Sequence, residues 1–175
     1  MRGVLMQLRD YTGRPQEIEP LLPQMFSLIA RNMREIAPTG NTLDEDRLMW
    51  TRAMLEQLRN PDTHWILLFS GEALAGYTLY RIAGETLHMD EIQVQQRFQG
   101  DGVSFPMLLG KLLEDAITAR AETLASYANR QNLKSRAILS RLGLAIAGET
   151  PRGFQYRGRV RDALAWFEAK YGQLQ

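Results

Sequence analysis

The chain has 175 residues, of which 45% are hydrophobic and 23% charged, and these values fit one globular domain over residues 1–175 rather than a disordered or fibrous chain. The net charge of +1 gives no overall field for nucleic acid or a membrane surface, so neither is expected as a partner. The absence of cysteine excludes disulfides and a cysteine nucleophile and favours a cytoplasmic location. No group of His, Asp and Glu has metal-ligand spacing, so no metal site is expected.

The N-terminal half of the sequence predicts a strand, two helices and a three-stranded antiparallel meander. Apolar residues recur with a helical period after three prolines, and because proline is tolerated only in a first turn, this helix is expected to begin late. The sequence TLDE has the spacing of a capping box and opens the second helix, from Thr42 to about Arg59. Short glycine-bearing turns predict the meander. The predicted strands are Val4–Leu8, His64–Ser70, Ala73–Ile82 and Thr86–Val94.

The C-terminal half predicts a helix that starts near Gly102, a strand, a short helix, a hairpin and a last helix. The strand Thr123–Ala128 is expected to lie parallel to Thr86–Val94, because a helix-length crossover joins the two. The first of these helices is predicted to bury Phe105, Leu109, Leu112, Leu113 and Ile117. The fold class that follows is α/β (α+β), a mixed and mostly antiparallel sheet of about seven strands flanked by helices.

The stretch QQRFQGDGVSF, residues 95–105, joins the last meander strand to the following helix. The first N–H groups of a helix have no partner within the helix, and the helix dipole places partial positive charge there. Gly100 and Gly102 remove side chains that would block a phosphate, and Arg97 adds a charged donor. These features favour a pyrophosphate site, although Asp101 puts a carboxylate inside it. A plain turn between a strand and a helix is the alternative.

Two segments of the chain resemble the conserved motifs of the GNAT superfamily, the acyl-CoA-dependent N-acyltransferases. IQVQQRFQGDGVSFPMLLGKLL is similar to motif A, in which Gln/Arg-x-x-Gly-x-Gly/Ala lies between a strand and a helix. NRQNLKSRAILSRLGL is similar to motif B, in which an asparagine precedes a short helix and Gly-Phe. The predicted order of elements also resembles the GNAT order over nearly the whole chain. The matching positions are Arg97, Gly100 and Gly102 in motif A, and Asn132, Ser135, Gly143 and Leu144 in motif B.

The resemblance implies a GNAT fold with a binding site for acetyl-CoA as acyl donor. Backbone N–H groups of the glycine turn would cradle the CoA pyrophosphate, with Arg97 beside it. The pantetheine arm would hydrogen-bond to backbone at the end of the preceding strand, where an N–H group would also polarise the thioester carbonyl. Asn132 and Ser135 would contact the cofactor from the other side. The implied cofactor-binding residues are Ile92, Val94, Arg97, Gln99, Gly100, Asp101, Gly102, Val103, Asn132 and Ser135.

The resemblance also implies a general base, which the family often carries on the motif A strand. The sequence HMDEI offers His88, Asp90 and Glu91 at that place. Strand alternation puts Glu91 on one face and the other two on the opposite face, so only one set faces the acceptor. We favour Glu91. Solvated charges on an exposed strand are the alternative for each of the three.

The proton donor departs from the family pattern. The family commonly has a tyrosine four residues before the glycine of motif B, and this chain has Leu139 there. Tyr127 and Tyr156 are the candidate substitutes, and we select Tyr127 as the second catalytic residue. The missing tyrosine also leaves room for a protein that binds acyl-CoA without turning it over.

The leading prediction is therefore transfer of an acetyl group from acetyl-CoA to a primary amine of a small molecule or peptide. The transfer is expected to proceed by direct attack, because the chain has no cysteine nucleophile. The alternatives are a catalytically silent GNAT-fold module that binds acyl-CoA or regulates, and an α/β domain without a CoA site. The amphipathic last helix leaves a homodimer open.

Overall fold

The computed structural model describes residues 5–174. No helix among these residues has both the length and the apolar character needed to cross a membrane. The elements are β1 Met6–Asp10, α1 Pro15–Ile18, α2 Leu22–Met33, α3 Leu43–Gln57, β2 Thr63–Ser70, β3 Ala73–Ala83, β4 Thr86–Val94, α4 Ser104–Thr118, β5 Thr123–Asn129, α5 Leu133–Arg141, β6 Ala145–Glu149, β7 Gly153–Arg159 and α6 Val160–Tyr171, with short 3-10 helices at Glu19–Leu21 and Gln96–Phe98.

The strands form one seven-stranded sheet in the order β1-β2-β3-β4-β5-β7-β6. Strands β4 and β5 are parallel, with Thr86 opposite Thr123 and Met89 opposite Ser126. The pairs β1–β2, β5–β7 and β6–β7 are antiparallel. The parallel pair follows from α4, because a helical crossover returns the chain to the same end of the sheet. The predicted fold class, a mixed and mostly antiparallel sheet flanked by helices, is confirmed.

The N-terminal elements agree with the sequence pattern except for the bounds of the first strand. Strand β1 was expected over Val4–Leu8 and covers Met6–Asp10, and Val4 lies outside the described residues. The expected late start of the first long helix is confirmed, since α2 begins at Leu22 after α1 and a 3-10 turn. Proline explains this break, because it lacks the N–H that a continuous helix would use. The predicted capping box of α3 also forms: the Glu45 N–H donates to Oγ1 of Thr42 (3.2 Å), and the Thr42 N–H donates to Oε2 of Glu45 (2.8 Å).

The chain forms two compact units, and the first contains the described residues up to Leu79 together with Glu91–Leu108. Its core lies where α1, α2 and α3 cover one face of β2 and β3. Because side chains alternate along a strand, every second residue of β2 points into this core. The expectation of one domain over residues 1–175 remains a prediction. The core residues are Ile18, Leu22, Met25, Leu28, Met54, Trp65, Leu67, Phe69, Leu74, Tyr77 and Leu79.

The second unit contains Tyr80–Asp90 and the described residues from Leu109 onward. The predicted burial of Leu109, Leu112 and Leu113 on α4 is confirmed. The predicted burial of Ile117 is wrong, since its side chain is 46% exposed while Ala116 is fully buried. The buried face of α4 therefore passes through Ala116, and a one-residue step along a helix rotates the next side chain away by about 100°.

Candidate functional site

The turn between β4 and α4 has the backbone conformation that its glycines allow. Gly100 has φ +75° and Gly102 has φ +71°, which lie in the left-handed region that favours glycine. A Cβ placed on either residue would meet no atom within 4 Å, so open space borders both positions. Within residues 5–174, the N–H groups of Gly100 and Gly102 donate to no backbone acceptor. These two N–H groups are therefore candidates to bind an anion.

Asp101 lies between the two glycines and binds the start of α4 itself. Its Oδ1 accepts hydrogen bonds from the N–H groups of Val103 (2.8 Å) and Ser104 (2.8 Å), and its Oδ2 accepts from the Ser104 hydroxyl (2.7 Å). Desolvation acts to raise the pKa of Asp101, but these hydrogen bonds outweigh it, so the pKa is lowered. The carboxylate therefore stays ionised and takes donors that a phosphate would otherwise use.

Some of the backbone N–H groups predicted to bind phosphate are already hydrogen-bonded within the protein, and others are not. The Gln99 N–H donates to the Gln96 carbonyl oxygen (3.2 Å), and the Asp101 N–H donates to the Phe98 carbonyl oxygen (3.3 Å). The Val103 N–H binds the Asp101 carboxylate. The two glycine N–H groups are left as the turn's accessible donors.

Arg97 is exposed and held in place by its neighbours along the chain. Its Nε donates to Oε1 of Gln95 (2.8 Å), and its guanidinium carbon lies 4.5 Å from the centre of the Phe98 ring. An open groove of about 930 Å³ borders the turn, and its lining includes Arg97, Phe98 and Val103. The first unit thus presents a cation, Arg97, and an anion, Asp101, on one groove beside the turn.

The end of β4 is tied to α2 and to the turn by amide side chains. The Val94 carbonyl oxygen accepts hydrogen bonds from Nδ2 of Asn32 (2.9 Å) and Nε2 of Gln99 (2.9 Å). Asn32 also donates to Oε1 of Gln93 (3.0 Å), while Ile92 is half-buried on the same strand. A pantetheine arm predicted to bind this backbone would have to share or replace the contacts at Val94. The roles of Ile92 and Val94 remain predictions.

Glu91 is held by side chains from two other elements. Its Oε1 accepts a hydrogen bond from Nε1 of Trp50 on α3 (3.2 Å), and its Oε2 accepts one from the Tyr77 hydroxyl on β3 (2.7 Å). Burial raises the pKa of Tyr77 well above its usual value, and the charge of Glu91 and their hydrogen bond raise it further. Glu91 is therefore a half-buried carboxylate with a defined orientation.

The neighbouring acid, Asp90, has a different environment. Its carboxylate binds Arg81 in a two-point contact, with Oδ2 to Nε at 2.7 Å and Oδ1 to Nη2 at 3.0 Å. This geometry is typical of a charge-neutralising ion pair. The hydrogen bond also raises the pKa of Arg81. Asp90 is therefore paired with a cation, whereas Glu91 accepts hydrogen bonds from the neutral side chains of Trp50 and Tyr77. The catalytic role of Glu91 remains a prediction.

In the second unit, Asn132 caps α5. Its Oδ1 accepts a hydrogen bond from the N–H of Ser135 (3.1 Å), and the residue is only 8% exposed. Leu139, at the position of the family's tyrosine, is 7% exposed and belongs to the core. The motif B resemblance therefore coincides with a local structural role for Asn132, and cofactor contacts by Asn132 and Ser135 remain predictions.

The two candidate tyrosines of the second unit differ in exposure. Tyr127 is 46% exposed, and its hydroxyl lies 3.2 Å from Oγ1 of Thr150 in the β6–β7 turn. Its ring lies over Gly153, where an added Cβ would be 2.6 Å from the Tyr127 hydroxyl. Tyr156 is buried and accepts a hydrogen bond from Nε of Arg136 (3.3 Å). Of the two, Tyr127 has the more accessible phenol, and its catalytic role remains a prediction.

The first unit brings together Glu91 and the predicted residues from Ile92 to Val103, whereas Tyr127, Asn132 and Ser135 belong to the second unit. The sequence reasoning missed Trp50 and Tyr77 as partners of Glu91. Tyr77 carried a usable signal, because a phenol in an apolar strand needs a hydrogen-bond partner when it is buried. Among the described residues no cluster of His, Asp and Glu could hold a metal ion.

Comparison with known proteins yields matches to solved structures alone. No protein-family model and no curated protein matches the chain. The PaiA N-acetyltransferase from Thermoplasma acidophilum, in complex with coenzyme A, superposes with a TM-score of 0.70 at 13% identity over 89% of this chain and 99% of that one. A protein assigned to the GNAT family from Desulfovibrio desulfuricans gives 0.68 at 16% over 89% and 99%. An acetyltransferase from Thermus thermophilus gives 0.64 at 20% over 91% and 99%.

These matches establish the fold. The chain has the GNAT fold, as the resemblance of its two motifs predicted. The agreement covers nearly the full length of each structure compared. Because identity is at most 20% in these three pairs, the comparison defines architecture, and the chemistry has to be argued from the residues.

Proposed function

We propose that this protein is an N-acetyltransferase that moves an acetyl group from acetyl-CoA to a primary amine. The observation that carries the proposal is the turn at Gly100–Gly102 before α4, where two left-handed glycines have N–H groups that donate to no backbone acceptor among residues 5–174. The GNAT fold and the CoA complex of the PaiA enzyme support the same conclusion.

The cofactor-binding part of the proposal rests on the first unit. The N–H groups of Gly100 and Gly102 would donate to the CoA pyrophosphate, and Arg97 would approach it from the adjacent groove. Asp101 would lie next to the same phosphates and oppose their charge. Binding of CoA is therefore expected to be weaker than in a turn without an acid, and sensitive to ionic strength.

The chemical part of the proposal rests on Glu91. The acceptor amine must lose a proton to attack the thioester carbonyl, and a half-buried carboxylate of defined orientation is suited to remove it. The new C–N bond then forms as the C–S bond breaks, and the CoA thiolate leaves. That thiolate takes its proton from Tyr127 or from water, since Leu139 cannot supply one.

A silent acyl-CoA-binding module is the second candidate, and one observation favours it. Leu139 is buried at the position where the resemblance to motif B implies a proton donor. This protein would bind acyl-CoA as a signal without turning it over.

The deciding experiment measures acetyl-CoA binding and turnover on one sample. Turnover is followed as free thiol against a broad panel of primary amines, and the protein contributes no background because it has no cysteine. Binding is followed by thermal denaturation, where a hundredfold excess over the dissociation constant stabilises by about 2.7 kcal/mol. Amine-dependent thiol release supports the acetyltransferase. Binding without release on any amine supports the silent module, and no binding contradicts both.

A further inference from the structure

The two donors on Glu91 come from separate elements and are both neutral. Trp50 donates from α3 at 3.2 Å and Tyr77 donates from β3 at 2.7 Å, each to a different carboxylate oxygen. Neutral donors fix the direction of a carboxylate without cancelling its charge, unlike the arginine on Asp90.

Each donor is itself fixed by packing. Tyr77 is fully buried in the core under α2 and α3. The Trp50 ring packs against Phe26 of α2, with ring centres 5.8 Å apart and an interplanar angle of 51°. The strand is fixed as well, because Oγ1 of Thr78 donates to the Glu91 carbonyl oxygen (2.9 Å). Both ends of Glu91, backbone and carboxylate, are therefore anchored by groups that have little freedom to move.

We propose that Tyr77 and Trp50 are positioning residues that aim the Glu91 carboxylate at the amine acceptor. This inference rests on the proposed function, in which Glu91 removes the amine proton. A base that rotates freely spends most of its time pointing elsewhere, and misplacement by about 1 Å costs on the order of 100-fold in rate. Two donors on two oxygens remove that rotation.

The test compares two tyrosines of matched burial. Tyr77 and Tyr80 are both fully buried, and each hydroxyl donates to a carboxylate, Glu91 in one case and Asp115 in the other. Tyr77→Phe and Tyr80→Phe therefore each remove one hydroxyl from a carboxylate that keeps another donor, Trp50 at Glu91 and Lys111 at Asp115. We expect comparable losses of melting temperature, but a fall in kcat of about 10- to 100-fold in Tyr77→Phe alone. CoA affinity is expected to stay unchanged in both variants.

Making the same substitution in a Glu91→Gln protein separates a positioning role of Tyr77 from general destabilisation. If Tyr77 acts through Glu91, then Tyr77→Phe should lose most of its effect on kcat in a Glu91→Gln protein. Trp50→Phe keeps an aromatic ring against Phe26 while removing the N–H, and it should behave in the same way. It also carries the test if Tyr77→Phe does not fold.

The outcomes distinguish this inference from the function on which it rests. Equal kcat losses in the Tyr77 and Tyr80 variants, or a full Tyr77 effect in the Glu91→Gln background, would leave Tyr77 a purely structural residue and overturn the inference. If turnover falls in Glu91→Gln but stays at the wild-type value in Tyr77→Phe and Trp50→Phe, the inference is overturned. The proposed acetyltransferase activity then stands. Absence of wild-type turnover on any amine overturns both.

Discussion

Glu91 and Asp101 are two acids of the same unit that the fold treats in opposite ways. Glu91 receives its hydrogen bonds from side chains, an indole and a phenol, that belong to the packed region under α2 and α3. Asp101 is exposed and receives its hydrogen bonds from backbone N–H groups and a hydroxyl at the start of α4. The donors around Glu91 fix the direction of its carboxylate. The Asp101 carboxylate instead occupies hydrogen-bond donors that a ligand would use.

The difference shows that the role of a carboxylate in a motif cannot be assigned until its hydrogen-bond donors are known. Backbone N–H groups at a helix start are the donors that bind phosphate in nucleotide sites, so an acid on them competes with the ligand. Side-chain donors in a core have no such second use, so an acid on them gains orientation at no cost to binding. Four substitutions test this contrast, from the largest expected effect to the smallest.

Glu91→Gln should have the largest effect on turnover. The amide cannot accept the amine proton, so kcat/KM should fall by roughly 100- to 10,000-fold, the range typical of a general base. CoA affinity should not change, because Glu91 binds Trp50 and Tyr77 rather than the glycine turn. Steady-state kinetics with the best amine and calorimetric titration with CoA measure the two quantities. An unchanged kcat/KM would assign Glu91 a structural role only.

Gly102→Ala should chiefly weaken CoA binding. The left-handed φ of +71° is strained for alanine by about 1–2 kcal/mol, so the turn should shift and misdirect its N–H groups. We expect a loss of CoA affinity of on the order of tenfold or more, as about 1.4 kcal/mol corresponds to a factor of ten. Gly71→Ala is the matched control, since Gly71 has φ +63° and equally open surroundings in the β2–β3 turn. Equal losses of affinity in both would remove the turn from the binding site.

Tyr127→Phe tests the proposal that Tyr127 protonates the leaving thiolate. A CoA thiolate leaves without strong assistance, so kcat should fall on the order of tenfold, below the usual range for a general acid. Tyr156→Phe is the control, because Tyr156 is buried and bound to Arg136. If both variants keep the wild-type kcat, the thiolate is protonated by water. A loss confined to Tyr156→Phe would reverse the choice between the two tyrosines.

Asp101→Asn should have the smallest effect, and in the opposite direction. Asparagine keeps an oxygen for the Val103 and Ser104 N–H groups but removes the charge beside the phosphates. CoA affinity should rise by about three- to tenfold at low salt, consistent with about 1 kcal/mol between exposed charges, and less at high salt. Asp10→Asn is the control, because Asp10 accepts the Thr12 N–H (2.9 Å) in the turn between β1 and α1, which is not part of the proposed binding site. Weaker binding in Asp101→Asn would mean that the carboxylate organises the turn for the ligand.

Much of the architecture was predictable because it follows from local patterns. Apolar alternation gave β2 to β4, the TLDE spacing gave the start of α3, and the length of the crossover gave the parallel pair of β4 and β5. The position of the glycine turn was also predictable, since two closely spaced glycines lie between a strand and a helix pattern, but its left-handed conformation was not predicted, because glycine adopts both signs of φ. Each of these features depends on residues near one another in sequence.

The details of the candidate site were less predictable because they depend on contacts between distant residues. Nothing near Glu91 in sequence indicates that Trp50 of α3 binds it. The sequence identified Asp101 as a misplaced charge but not its role in binding α4, because that role depends on the rotamer of one side chain. The buried face of α4 was hard to predict for a similar reason, because the helical period of apolar residues alone did not indicate whether Ala116 or Ile117 is buried.

The contact between Tyr127 and Gly153 has a consequence for how tolerance to substitution should be interpreted. Any Cβ at Gly153 would be 2.2 Å from the Ala128 carbonyl oxygen and 2.6 Å from the Tyr127 hydroxyl, and the carbonyl is backbone that cannot move aside. A survey of variants selected only for folding would therefore reject every side chain at Gly153. Strict retention of this glycine among related sequences would reflect the packing of β5 against β7, and it should not be counted as a signature of catalysis.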